Sequence, residues 1–154
     1  MKTRTIAVAL VLCFMGAVFC LAEDANLGSW KLNEAKSKFS EGAPKTTMSV
    51  YEAAGDSVKV TLDGIGFDGK PTHNEWTGKY DGKDYPVTGD SNQSSRAYTL
   101  VNDHQLKFTV KSEDKVILSG TITVSADGKT RTVKASGMST AGKKVSYTAI
   151  YDKQ

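Results

Sequence analysis

The residues of this chain best equipped to recognise another molecule are its aromatics and arginines. The alternation in Thr72–Tyr80 puts Asn74, Trp76, Gly78 and Tyr80 on one side of an extended strand, with His73, Glu75, Thr77 and Lys79 on the other. The Trp76 side is the candidate interior. Gly78, beside the indole, leaves room either for a ligand or for a side chain from a neighbouring strand. Tyr147 and Tyr151 share a face with Val145 and Ala149, which turns both inward. Tyr98 and Tyr85 offer the same chemistry: a ring that tolerates apolar surroundings and a hydroxyl that can meet a headgroup. Arg96 and Arg131 are the arginines that follow residue 22. Arg131 has the parity of Val133 and Ala135, so if it points inward it is a ligand clamp or a lid stacked on an aromatic ring; pointing outward, it needs no explanation. The candidate ligand-binding set is Trp76, Tyr80, Tyr98, Arg131, Tyr147 and Tyr151. Each has an ordinary alternative as a core or outward strand residue.

No catalytic constellation accompanies them. His73 and His104 are the two histidines; one falls on the face opposite Trp76 and the other in a turn. Two separated imidazoles do not make a zinc site, which takes three or four ligands. Serines and threonines fall at polar strand positions and in turns, without a base to activate them. Gly64-Ile65-Gly66 opens no helix, so it lacks the geometry of a phosphate loop. Asn92-Gln93-Ser94 matches a glycosylation acceptor, relevant only in a eukaryotic secretory pathway. The expectation is no enzyme, no metal and no cofactor.

The elements that must position these side chains read as strands and turns almost throughout. Ser57–Asp63 and Gln105–Lys111 alternate apolar with polar residues, and Lys115–Val124 places Val116, Leu118, Gly120, Ile122 and Val124 on one face. Leu27–Leu32, Thr46–Tyr51, Thr72–Tyr80, Tyr85–Thr88, Arg96–Val101, Thr130–Ala135 and Val145–Tyr151 complete a set of ten. Asp68-Gly69-Lys70, Asp81-Gly82-Lys83 and Asp127-Gly128-Lys129 repeat one tripeptide, whose glycine accepts the positive φ of a tight hairpin. Residues 33–45 form the one long irregular stretch, with space for a turn of helix before Pro44. The predicted fold is all-β: an antiparallel up-and-down meander barrel of 8–10 strands, since closure removes both unpaired edges.

The first 22 residues differ in kind. Lys2 and Arg4 precede an apolar run from Ile6 to Phe19, and Cys20-Leu21-Ala22 offers small residues for cleavage. This is the layout of a secretory signal peptide, and the run is short for a bilayer span, which takes about 20 apolar residues. Residues 23–154 then form one barrel domain without a thiol, because Cys13 and Cys20 leave with the signal. That domain has 18 basic and 17 acidic side chains, scattered singly. A charge so close to balance, with no basic stripe, gives no reason to expect a nucleic-acid partner. No stable membrane insertion is expected after cleavage.

Gly28-Ser29-Trp30 resembles the Gly-x-Trp signature that opens lipocalins, and Leu27–Leu32 is similar to the start of fatty-acid-binding proteins. Ala149-Ile150-Tyr151-Asp152-Lys153 resembles the closing strand of the latter. The resemblance, to a secreted bacterial-type member of the calycin superfamily, implies a barrel with Gly28 and Trp30 as structural residues, the Trp plugging one end. It implies an interior that holds a hydrophobic ligand. Two departures stand out. No Thr-Asp-Tyr-type turn is present, and Ala149 occupies the place of the arginine in the Arg-x-Tyr pair that grips a carboxylate. A neutral lipid, isoprenoid or pigment therefore fits at least as well as a fatty-acid anion.

The reading that follows is a periplasmic or extracellular monomer that binds a small hydrophobic molecule without catalysis. The alternative is a filled barrel that binds a protein, as an inhibitor or envelope component, through loops at 33–45 or 90–95.

Overall fold

The computed structural model describes residues 24–154. The expected signal segment and both cysteines lie outside them. In chain order the strands are β1 (Gly28–Leu32), β2 (Lys38–Phe39), β3 (Lys45–Ala54), β4 (Ser57–Ile65), β5 (Pro71–Gly78), β6 (Tyr85–Thr88), β7 (Ser95–Asn102), β8 (Gln105–Ser112), β9 (Lys115–Val124), β10 (Thr130–Met138) and β11 (Lys144–Lys153). A 3-10 turn at Glu34–Lys36 is the helical element of the 33–45 stretch.

From β3 onward each strand pairs antiparallel with the next, and β1 joins β3 on one side and β11 on the other. Trp30↔Lys153 and Leu32↔Tyr151 are the closing registers. The sheet is thus a closed up-and-down barrel with ten strands in the wall, the calycin-like architecture read from the sequence. The two-residue β2 extends the line of β1 along β11, with Phe39 opposite Tyr147.

Sequence alternation becomes alternating burial. Leu106, Phe108 and Val110 of β8 face inward, and Lys107 between them is exposed. In β9 the expected face is broken. Val110 pairs with Leu118 but Lys111 pairs with Val116, so Ile117 is an extra residue in the ladder. Such a bulge shifts side chains by one position. Ile117 is consequently buried and Val116, expected inside, is 48% exposed.

The three Asp-Gly-Lys tripeptides share one local structure. In each, the lysine backbone N–H donates to Oδ1 of the aspartate two residues earlier, at 3.1, 3.1 and 3.0 Å. Two of them cap hairpins. Asp81-Gly82-Lys83 does not: it lies in the wide connection between β5 and β6, where Gly82 N–H donates to Tyr98 O and Leu100 N–H to Tyr80 O. The Tyr80 end of the expected strand has therefore left the β4 ladder and lies against β7. β6, which the detour makes room for, has two registered pairs with each neighbour.

One end of the barrel is packed shut. Trp30 is fully buried there, its Nε1–H donating to Asn26 O at 2.8 Å. Gly28 has φ +113°, and a Cβ at that position would stand 2.9 Å from Lys153 Cε.

Gly120 tests the close approach of β9 and β10. A Cβ there would meet Lys134 O at 2.1 Å and Ala135 Cα at 2.9 Å. Gly120→Ala is expected to cost about 1–3 kcal/mol by overpacking. Gly128→Ala, in an open turn at φ +70°, should lose about 1 kcal/mol through backbone strain alone. Urea unfolding of both variants checks the order; a harmless Gly120→Ala would contradict the packing described.

Candidate functional site

The other end of the barrel is open to a cavity of about 90 Å³. Its mouth is formed by Pro44, Phe67 and the loop Asp90–Gln93, and its walls by Leu62, Phe108, Val110, Ile117, Leu118, Ile122 and Val133. These wall residues come from β4, β8, β9 and β10, whose inward positions are apolar for the periodic reason given above. Polar groups reach the same space from Tyr51, Asn74, Arg96, Tyr98, Arg131 and Tyr147.

The expected ligand-binding residues divide into two groups. Tyr98, Arg131 and Tyr147 line the cavity; Trp76, Tyr80 and Tyr151 are not among its lining residues. Trp76 is buried, with Nε1–H donating to Arg96 O at 2.8 Å and its ring edge-on to Tyr85 and Tyr98. The space beside Gly78 is taken by the Tyr85 ring, whose nearest atoms would stand 2.6 Å from an added Cβ. Tyr80 packs edge-on to Tyr98, centroids 6.0 Å apart. Tyr151 is buried, and its hydroxyl donates to Thr46 O at 2.9 Å. Tyr98 is the hub of the aromatic cluster: it touches Tyr51, Trp76, Tyr80 and Phe108.

Arg131 points inward, as its parity allowed. Its guanidinium carbon lies 4.9 Å from the Trp30 ring centre, 4.7 Å from Tyr51 and 5.0 Å from Tyr151, and Nη2 donates to Ser49 Oγ. Arg131 therefore joins the plug at the closed end to the floor of the cavity.

Arg96 was absent from the expected set. It is the second residue of β7, nearer the mouth, and its Nη2 donates to Asn74 Oδ1 at 3.1 Å and Gln93 Oε1 at 2.6 Å. The signal was present in the sequence: Arg96 has the parity of Tyr98 on one strand, and Asn74 that of Trp76 on another. Tyr51 was also missed. Its hydroxyl is 3.4 Å from that of Tyr98, a contact between strands that no local pattern displays.

The phenols are held neutral by their surroundings. Burial pushes Tyr51 well above its usual range, Tyr98 adds to the shift, and Arg131 opposes it. Burial likewise raises Tyr147, with Tyr151 adding, and raises Tyr80, with Asp24 adding. Tyr151 is pushed up to about 12, chiefly by burial, against the pull of Arg131. Among the described residues no group of three or more His, Cys, Asp or Glu side chains is placed to hold a metal.

A phenol whose folded pKa exceeds its unfolded value of about 10 favours folding below pH 10, and that contribution disappears as pH rises through the folded value. Alkaline titration should therefore produce tyrosinate absorbance for Tyr51, Tyr80, Tyr147 and Tyr151 together with loss of the far-ultraviolet β signal. Independent ionisation of these phenols near pH 10 in an intact barrel would contradict their burial.

No protein-family model matches the chain, and no curated protein matches it. Among solved structures it is similar to a β-barrel described as EF1p2_mFAP2b bound to DFHBI, at 14% identity and TM-score 0.49, covering 86% of this chain and 97% of that one. It is also similar to a redesigned β-barrel, mFAP1, bound to DFHBI, at 14% identity and TM-score 0.47, covering 86% of this chain and 98% of that one.

Proposed function

We propose that this protein is an exported, non-catalytic carrier that takes a small apolar or amphiphilic molecule into the open end of its barrel. The cavity carries this reading. Its volume of about 90 Å³ is of the order of the roughly 150 Å³ apolar cavity that accepts benzene in another protein. It accommodates a small molecule or one end of a longer one. Apolar walls with a few convergent polar groups are the usual composition of a ligand site. Export is supported by the charge and hydropathy layout of residues 1–22.

Two measurements test the two halves of the reading. Titration with Nile red should give saturable binding. Leu118→Trp, which fills the cavity, should weaken binding by about tenfold or more, whereas Val116→Trp on the outside of the same strand should leave it unchanged. Equal affinities for the two variants would remove the binding site from the interior. Intact mass of the protein recovered from the periplasm or medium should correspond to a chain starting at Glu23; an uncleaved mass would remove the export step.

A further inference from the structure

The outer wall of the barrel carries its charge in two different ways. Around β4 and β5 the outward bases meet acids: Lys59 Nζ is 3.0 Å from Glu75 Oε1, His73 Nδ1 is 2.6 Å from Asp63 Oδ1, and Lys79 pairs with Asp56. Opposite charges on neighbouring strands are the ordinary stabilising arrangement of an exposed sheet. Across β8 to β11 and on to β2 the pattern changes. Lys107 stands opposite Thr121, Thr121 opposite Lys134, Lys134 opposite Thr148, and Thr148 opposite Lys38. One row therefore alternates lysine with threonine across five strands and contains no acid. All three lysines are exposed, and the salt bridges among the described residues involve none of them.

From β9 to β2 this row forms one side of a groove of about 650 Å³ on the outside of the barrel. The other side is a row of serines two residues away on each strand. Ser119 stands opposite Ser136 and Ser136 opposite Ser146, and Ser40 follows, its N–H donating to Ser146 O at 2.9 Å. Between the two rows run Gly120, Ala135, Tyr147 and Phe39, which belong to the inward parity of their strands. Phe39 and Tyr147 stack on each other with ring centres 5.4 Å apart. The floor of the groove is therefore largely backbone, and the short serines and threonines beside it leave it open. The groove crosses the strands rather than following them. Its hydroxyls recur once per strand, about 4.7–4.9 Å apart, and its lysines at about twice that spacing.

We propose that this groove binds an extended acidic glycan that bears a carboxylate on every second sugar and lies across the strands. The strand spacing is close to the length of one sugar unit in an extended chain. Hydroxyls then fall in step with the sugars, and ammonium groups with alternate ones. A serine or threonine hydroxyl both donates and accepts, which matches the hydroxyls of a sugar. A lysine ammonium is a compact point charge, suited to a single carboxylate. A densely sulfated chain would carry several charges per sugar, most of them unanswered by lysines two strands apart. A bilayer is held by apolar side chains that enter it, and neither row offers one. Single-stranded nucleic acid stacks its bases on aromatic faces, which both rows also lack. The groove lies on the opposite side of the wall from the barrel cavity, so the proposal stands or falls independently of the carrier reading.

Calorimetric titration of the protein with a hyaluronate decasaccharide, whose carboxylates fall on alternate sugars, tests this. Saturable binding is expected, at least about tenfold tighter than that of a neutral maltooligosaccharide of the same length. Lys134→Glu reverses the central charge and should weaken binding by about tenfold or more, whereas Lys134→Arg should retain it. Ser136→Tyr keeps every charge but fills the groove, and it should weaken binding to a similar degree. Lys129→Glu makes the same change of charge in the β9–β10 turn, away from the groove, and should leave binding unchanged. These positions are all exposed, so each variant should keep the circular-dichroism spectrum of the intact barrel. Absence of hyaluronate binding, or equal affinity for the neutral sugar, overturns the proposal. Full affinity in Ser136→Tyr, or an equal loss in Lys129→Glu, also overturns it, because the attraction would then be diffuse charge and not a groove. Tighter binding to phosphatidylglycerol vesicles or to single-stranded DNA than to the glycan would assign the surface to that partner and likewise overturn the glycan.

Discussion

A meander of ten strands has two free edges, each a row of backbone donors and acceptors that must find partners in water or in another chain. In this protein the edges belong to β1 and β11, and they satisfy one another. Everything inside depends on that pairing. It puts Trp30 across from Lys153 and Leu32 across from Tyr151, which brings both the indole and the last tyrosine within about 5 Å of the Arg131 guanidinium. Without closure the aromatic floor would be a flat surface, and a guanidinium lying on it would be hydrated rather than caged.

Closure also sets the chemistry of the interior. Apolar wall residues exclude water, and in its absence each polar group must be answered by a neighbour. At the closed end the answers are rings, Ser49 Oγ and the Asn26 carbonyl. Toward the mouth they are amides, and at both levels the set is incomplete. The interior is therefore graded in kind: aromatic rings surround the guanidinium at the floor, whose Nε and Nη1 have no acceptor, and amides surround the one in the upper chamber. The buried phenols fit between, kept protonated by the same exclusion of water that makes the arginines conspicuous.

Much of this was legible along the chain. The ten strands of the wall follow from two-residue alternation and Gly-centred turns, and the inward turn of Arg131 from its parity with Val133. What was hidden depends on pairing across distant segments. The bulge at Ile117 is a mismatch between β8 and β9, invisible in either alone, and it exchanges Val116 for Ile117 in the core. The hole beside Gly78 could be assigned to a ligand or to a side chain only once the Tyr85 ring was seen to occupy it. Asp81-Gly82-Lys83 has the same turn geometry as its two copies, yet tertiary contact with β7 gives it a different job. Arg96 was readable by the rule applied to Arg131; its significance came from what surrounds it, since burial without an acid is a property of the assembled wall.

The short β6 has a consequence for how the wall moves. It is held by two registered pairs on each side, and one of its four residues is Pro86, which has no N–H to contribute. Protection against hydrogen exchange follows local stability, so this stretch is the least guarded part of the cylinder. It adjoins the loop that carries Gln93 and the strand that carries Arg96. A transient breach there would admit solvent or a solute sideways, while the junction of the chain's two ends stayed shut. The barrel thus has a soft flank as well as an open rim, and the flank sits beside its unbalanced charge.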